Sequence, residues 1–219
     1  MSTIDPTDFI VVFDVGDTLF HKPSKIKIAV SVLQEFGLSL LNPSKAWRIY
    51  SLYKKAKTEA KTEKNCSWDQ VFANKYAFKE LGCNSEEFLK GITKIALKTV
   101  NPIPEMMNIV YQLHKRHVSL AILSNTDYAI GIAMRQKLSN LFNPIVLSCD
   151  RGNVSKPKLE SFKTLLNKVN RSAAEVIFFD NSRTNVEAAR KVGIQAFHYK
   201  NPLQVRQQLE LLGILSDHR

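Results

Sequence analysis

Four short segments carry the residues with chemistry to offer. Asp14 ends the apolar run Phe9-Ile-Val-Val-Phe13 and opens Asp14-Val-Gly16-Asp17-Thr18. Ser124-Asn125-Thr126 ends Val118-Ser-Leu-Ala-Ile-Leu123, and Asp180-Asn181-Ser182 ends Val176-Ile-Phe-Phe179. Between them Lys156 stands before Pro157, in a loop ahead of a helix. A carboxylate projected from the end of a buried strand serves as a metal ligand, a nucleophile or both. With a hydroxyl, an ammonium and further acidic or amide oxygens gathered around it, the set makes a site for a phosphate and Mg²⁺. Each segment alone is commonplace; the combination is what carries weight.

Those residues meet only if the elements bearing them line up. Phe9–Phe13 is an unbroken run of β-branched and aromatic residues, the pattern of a strand buried on both faces of a parallel sheet. From residue 105 helix and short apolar strand alternate. Helix 105–116 leads to strand 118–123, a second helix to strand 145–147, helix 158–170 to strand 176–179, and helix 183–192 to strand 194–197, with a terminal helix after. Such βα repetition predicts a three-layer α/β fold with a parallel sheet and right-handed crossovers. Parallel strands present their carboxyl ends along one edge, so Asp14, Ser124 and Asp180-Asn181 are expected to converge there.

Residues 22–99 read differently, as four consecutive amphipathic helices. Ile26, Ala29, Val30, Leu33 and Phe36 share a face of the first. Asn42-Pro43 is a helix start for the second, with Trp47, Tyr50 and Tyr53 on its inner side. Trp68, Val71, Phe72, Phe78 and Leu81 face inward on the third, and Asn84 to Glu87 forms a capping box for the fourth. Asn101-Pro-Ile-Pro104 is the linker back. The domain reading is therefore an α/β core of 1–20 and 100–219, with a helical bundle, 21–99, inserted after the first strand.

The net charge is +11 over 219 residues, and the insert concentrates it: residues 21–100 hold 15 Lys or Arg against 7 Asp or Glu. That excess favours anionic ligands, although Lys-rich solvated helix faces account for much of it. The acidic, polar start is no signal peptide, and no apolar run is long enough to span a bilayer. Cys66, Cys83 and Cys149 are scattered, which fits a reducing compartment better than a disulfide framework or a zinc site. The expectation is a cytoplasmic protein, monomer or homodimer, without a membrane partner, and with nucleic-acid binding by the basic helices only as a lesser alternative.

In order and spacing the four segments resemble the motifs of the haloacid dehalogenase-like hydrolase superfamily, in its phosphatase branch with helical caps. The stretches 146–162 and 178–194 are similar to those of alpha-D-glucose-1-phosphate phosphatases and of the phosphatase domain of soluble epoxide hydrolases. The resemblance implies a Mg²⁺-dependent phosphatase acting on a small phosphorylated metabolite, a sugar phosphate being one such. Asp14 would attack phosphorus and form an aspartyl-phosphate. Ser124 and Lys156 would bind the transferring phosphoryl group, with Asn125 and Thr18 on the substrate side. Asp14, the Gly16 carbonyl, Asp180 and Asn181 would hold Mg²⁺. Asn185 would orient Lys156, with helix capping as its rival role.

Two positions depart from the superfamily's pattern. Where it has an acid two residues after the nucleophile, this chain has Gly16, and loss of a general acid costs about 10²–10⁴-fold. The glucose-1-phosphate phosphatases share that glycine, and a hemiacetal oxygen leaves with less help than an alkoxide. Asp17 reads as a turn or cap residue, with a displaced acid as the alternative. Asn181 stands where a second metal-binding Asp is usual, so a cation loses one charged ligand. Both changes predict a weak enzyme. They leave open a catalytically degenerate protein that binds a phospho-ligand or a partner, and a 2-haloacid dehalogenase.

Overall fold

The computed structural model describes residues 5–37, 43–62, 67–150 and 152–215. Asn42 as a helix cap, Cys66, and the packing of Ile26, Ala29 and Leu33 lie outside the described residues and side chains. The core is a five-stranded parallel sheet in the order β5-β4-β1-β6-β7. Its strands are β1 (Ile10–Phe13), β4 (Ser119–Ser124), β5 (Ile145–Leu147), β6 (Val176–Asp180) and β7 (Gln195–His198). A two-stranded ribbon pairs β2 (Phe20–His21) with β3 (Asn101–Pro102). The helices are α1 (Lys25–Glu35), α2 (Pro43–Thr62), α3 (Trp68–Lys75), α4 (Ala77–Leu81), α5 (Ser85–Thr99), α6 (Pro104–Lys115), α7 (Tyr128–Leu138), α8 (Leu159–Val169), α9 (Arg183–Lys191) and α10 (Pro202–Leu211).

Strand alternation builds the three layers. Val11 and Phe13 of β1 point into one apolar cluster, with Ile109 and Leu113 of α6 and Val205 and Leu209 of α10. Ile10 and Val12 point into the other, with Phe162 and Leu165 of α8 and Val186 and Ala189 of α9. Because β1 is covered on both faces, all four of its residues are apolar and buried. The strand is also the hinge of the topology. The chain lays β4 and β5 on one side of it, then crosses to lay β6 and β7 on the other. Ligands of open α/β sheets bind at the carboxyl ends of strands flanking such a reversal. Register does the rest, since Phe13 pairs with Ile122 on β4 and with Phe179 on β6.

Helices α1–α5 lie between the two strands of the ribbon. The segment expected as a plain linker is therefore half of a β-pair, Phe20 opposite Pro102 and His21 opposite Asn101. Among the described residues there are five helices where periodicity predicts four, because the third breaks at Tyr76 (φ −128°, ψ −27°). The break resets the helical phase. Phe78, inward on a continuous helix, is 78% exposed, while Phe72 stays buried. On α2 the inner stripe is Ile49, Leu52, Ala56 and Ala60. Trp47 and Tyr50 lie outside it, 73% and 52% exposed. Ala56, fully buried, permits close approach of helices that an aromatic stripe would hold apart. On α1, Val30 is likewise exposed. Among the described residues, no helix is long and apolar enough to cross a membrane.

The start of α3 grips the core at the start of α7. Asp69, on α3 and fully buried, accepts the backbone N–H of Ala129 (2.7 Å) and of Tyr128 (3.3 Å), the first two residues of α7. Ser67 Oγ also accepts from Tyr128 (3.2 Å), and Trp68 Nε1 donates to Asp127 Oδ2 (2.7 Å). A helix start needs acceptors for its first amides and favours negative charge. Here both come from another element, while α5 packs along α7. Replacing Asp69 by Ala strands the buried N–H of Ala129 and leaves Tyr128 N–H with Ser67 alone, so urea denaturation is expected to show a loss of about 1–3 kcal/mol. Asp69→Asn, which keeps one acceptor oxygen, is expected to lose less. An unchanged midpoint for Asp69→Ala would refute the capping role.

Candidate active site

The loop after β1 is tied to one carbonyl. Val15 O accepts the N–H groups of Thr18 (3.3 Å), Leu19 (3.0 Å) and Phe20 (3.0 Å), and Asp17 N–H reaches back to Phe20 O (2.7 Å). Val15 and Leu19 are buried, so the loop is clamped to the core and the orientation of Asp14 is set from both sides. Asp14 N–H itself bonds Phe179 O of β6 (2.9 Å). Asp17 adopts φ +55°, a left-handed conformation uncommon without glycine, whereas Gly16 does not have a positive φ. Glycine at 16 is therefore not required by the backbone.

Lys156 is the centre of the site. Its side chain is 1% exposed, and its ammonium donates to Asp14 Oδ1 (2.7 Å), Asp180 Oδ2 (2.6 Å) and Leu123 O (2.7 Å). Three donors meet three acceptors, the full capacity of an ammonium. The Phe178 ring lies beneath it, 5.2 Å from Nζ to the centroid. Ser124 Oγ donates to the same Asp14 oxygen (3.1 Å). Asp180 is braced by Ser182 N–H (2.7 Å) and by the Asn185 amide, which reaches Oδ1 at 3.1 Å and Oδ2 at 3.0 Å. Asp14, Ser124, Lys156 and Asp180, predicted to converge, do meet.

Other predicted residues hold different posts. Asn125 makes a two-point clamp on the main chain of Lys156, Nδ2 donating to its carbonyl and Oδ1 accepting its N–H, both at 2.8 Å. That clamp positions the lysine. Thr18 is fully buried with its hydroxyl unpartnered. Asn185 orients Asp180 rather than Lys156 directly. Asp17 behaves as the turn residue: Oδ1 accepts Lys22 N–H (3.0 Å) and Oδ2 pairs with Lys22 Nζ (2.7 Å). The carbonyl of Asn181 lies 3.1 Å from His198 Nε2. Lys22 was not among the expected site residues. The only sequence signal for it is a basic residue just after the Asp14 loop, at the entry to the helical insert.

The charges define what the site can hold. Burial raises the Asp14 carboxyl above the usual carboxylate range, with the negative charge of Asp180 adding and the ammonium of Lys156 opposing. For Asp17, burial pushes upward too, yet the Lys22 ammonium and amide outweigh it and hold that carboxyl below its ordinary value. Two buried carboxylates against one ammonium leave a negative charge uncompensated. Mg²⁺ commonly binds through one or two carboxylates, completing its octahedron with water and phosphate oxygens. Asp14 and Asp180, with the Gly16 carbonyl nearby in sequence, fit that donor set. Among the described residues no cluster of three or more His, Cys, Asp or Glu could hold a metal ion by itself.

This arrangement has relatives. Residues 11–198 match the family model of the haloacid dehalogenase-like hydrolases. A sesquiterpene phosphatase of Aspergillus oryzae is 29% identical over 115 residues, which is 52% of this chain and 58% of that relative's length. Among solved structures, a haloacid dehalogenase family enzyme of Bacteroides thetaiotaomicron in complex with magnesium and inorganic phosphate aligns with a TM-score of 0.58. It is 14% identical and covers 88% of this chain and 94% of its own. A 2-haloacid dehalogenase of Pseudomonas syringae aligns at 0.62 and 19% identity, covering 87% and 86%. At those identities the structures speak to the fold. The family match spans all the strands that position Asp14, Ser124, Lys156 and Asp180, and the chain belongs to the haloacid dehalogenase-like hydrolases.

Proposed function

We propose that this chain is a Mg²⁺-dependent phosphatase that moves the phosphoryl group of a small phosphorylated metabolite first to Asp14 and then to water. The observation that carries the reading is the buried Asp14 carboxylate, held on one oxygen by both Lys156 and Ser124 at the end of the central strand. A nucleophile that must attack one phosphorus gains from being fixed in direction. Lys156 and the Ser124 hydroxyl are placed to neutralise the phosphoryl oxygens, whose charge spreads in the transition state. Asn125 and Asn185 keep the lysine and Asp180 in register. Mg²⁺, held by Asp14, the Gly16 carbonyl, Asp180 and the weaker ligand Asn181, would add positive charge beside the phosphoryl group. The phosphatase relative supports phosphate-ester chemistry.

In the same reading residues 21–99 act as a cap, with the β2–β3 ribbon as its stem. Closing over the strand ends would exclude water and select the substrate. The anchorage of α3 and α5 on α7 supports a cap whose place is set by the core.

Hydrolysis of p-nitrophenyl phosphate in Mg²⁺ tests the proposal. Asp14→Asn is expected to fall to the blank rate, and Ser124→Ala, which removes one hydroxyl donor, to lose about 10²–10³-fold in kcat. Equal rates for wild type and Asp14→Asn would end the reading.

Acidity gives a second check. The nucleophile must be ionised, and burial raises Asp14 in the fold. By linkage, a carboxyl raised on folding contributes stability while protonated and loses it as pH climbs through the folded pKa. At neutral pH without Mg²⁺, Asp14→Asn is therefore expected to melt above wild type in calorimetry. A lower Tm would show that ionised Asp14 stabilises the fold.

A further inference from the structure

Transfer of a phosphoryl group from an alkyl ester releases an alkoxide, which needs a proton. The groups around Asp14 do not supply one. The three N–H bonds of Lys156 are directed to Asp14, Asp180 and a carbonyl, and Gly16 has no side chain. Just after this loop Lys22 offers an ammonium. A Cβ built on Gly16 would meet Lys22 Cε at 3.2 Å, Cγ at 4.0 Å and Nζ at 3.9 Å. The stem of Lys22 thus runs across the face left bare by Gly16, two residues from the nucleophile. It is held there by Asp17, whose left-handed backbone turns its carboxylate to both the amide and the ammonium of Lys22. A non-glycine residue at positive φ, spent on aiming one exposed lysine, is the kind of local strain found at functional sites.

We propose that Lys22 is the proton donor to the leaving oxygen, with Asp17 as its positioning residue. The inference rests on the phosphatase reading above. In the first step an Asp14 oxygen bonds to phosphorus, the bond from phosphorus to the ester oxygen breaks, and a proton passes from Lys22 Nζ to that oxygen. The alcohol departs and leaves a neutral amine. In the second step water attacks phosphorus, its proton goes to the Lys22 amine, and the Asp14–phosphorus bond breaks to release phosphate. The ammonium is restored and nothing else is consumed. An ammonium is a far stronger acid than an alcohol, so the transfer to the leaving oxygen runs downhill. A nitrophenolate leaves without a proton.

Leaving-group dependence reads the role directly, because kcat/KM reports the steps up to the phospho-enzyme. For an alkyl phosphate such as n-butyl phosphate, Lys22→Ala is expected to lose about 10²–10⁴-fold in kcat/KM. For p-nitrophenyl phosphate the loss is expected to be smaller by at least tenfold, and that activity reports an intact fold. Lys22→Arg keeps the charge but holds its proton too tightly to give it up, so it should behave like Ala on the alkyl ester. Asp17→Asn should show the same split in weaker form. In a Gly16→Asp/Lys22→Ala double variant, where the backbone accepts a side chain at 16 and the lysine tail no longer crowds it, alkyl activity should partly return. Equal losses on both esters, no loss on the alkyl ester, or full activity of Lys22→Arg would each overturn the proton-donor role while leaving the phosphatase reading standing. A wild type inert on both esters would overturn that reading and this one with it.

Discussion

The site depends on one buried ammonium shared by two buried carboxylates. Removing ions from water is expensive, and the attraction between them compensates only when geometry is good and every remaining lone pair and proton is satisfied. The neighbours of Lys156 and Asp180 meet that requirement, and Asp14 is held through its Oδ1. Leu123 gives a carbonyl to the third ammonium proton, while Ser182 and Asn185 supply N–H groups to Asp180. Ser124 supplies a hydroxyl to Asp14, and Asn125 fixes the main chain of Lys156. Even so, burial leaves Asp14 raised. The fold tolerates an unfavourable carboxylate where chemistry wants a reactive one, as functional sites commonly do.

The geometry of that triad is a consequence of sheet topology. Putting β1 in the centre, with β4 and β6 in register on either side, brings three strand ends within reach of one lysine from a loop. The same arrangement ties the inserted helices to the site. The short segment between β4 and α7 carries Ser124 and Asn125 at one end, and at the other its helix start is capped by Asp69 from α3. The position of the insert and the direction of the Ser124 hydroxyl are thus referred to one stretch of backbone. A shift of α3 would be felt within a few residues of Ser124, which bonds Asp14.

Much of this was legible in the residues. Doubly buried parallel strands have no polar face, so their apolar runs stand out, and the polar residue ending each run marks the sheet edge. Asp14, Ser124 and Asp180 were visible for that reason, and Lys156 through its place before Pro157. Side-chain duties were less legible. Asn125 and Asn185 are amides that could serve a ligand or the protein equally well. Only the contacts show that both support charged neighbours. The aromatic residues of α2 and α4 misled for a related reason. Trp47, Tyr50 and Phe78 are apolar enough for a core, but a break at Tyr76 and a close-packed alanine at 56 put other faces inward.

The sequence by itself determined the α/β alternation, the interruption after the first strand and the four strand-end and loop groups. Those follow from local rules, hydrophobic period and the need to bury both faces of a parallel strand. Tertiary structure decided which oxygen meets which nitrogen: that Lys156 spans two acids, that Asp69 caps a helix 60 residues away in sequence, and that Lys22 lies over Gly16. Such pairings join residues far apart in the chain or across a turn. Spacing along the backbone carries no record of them, because they are fixed by register and packing alone.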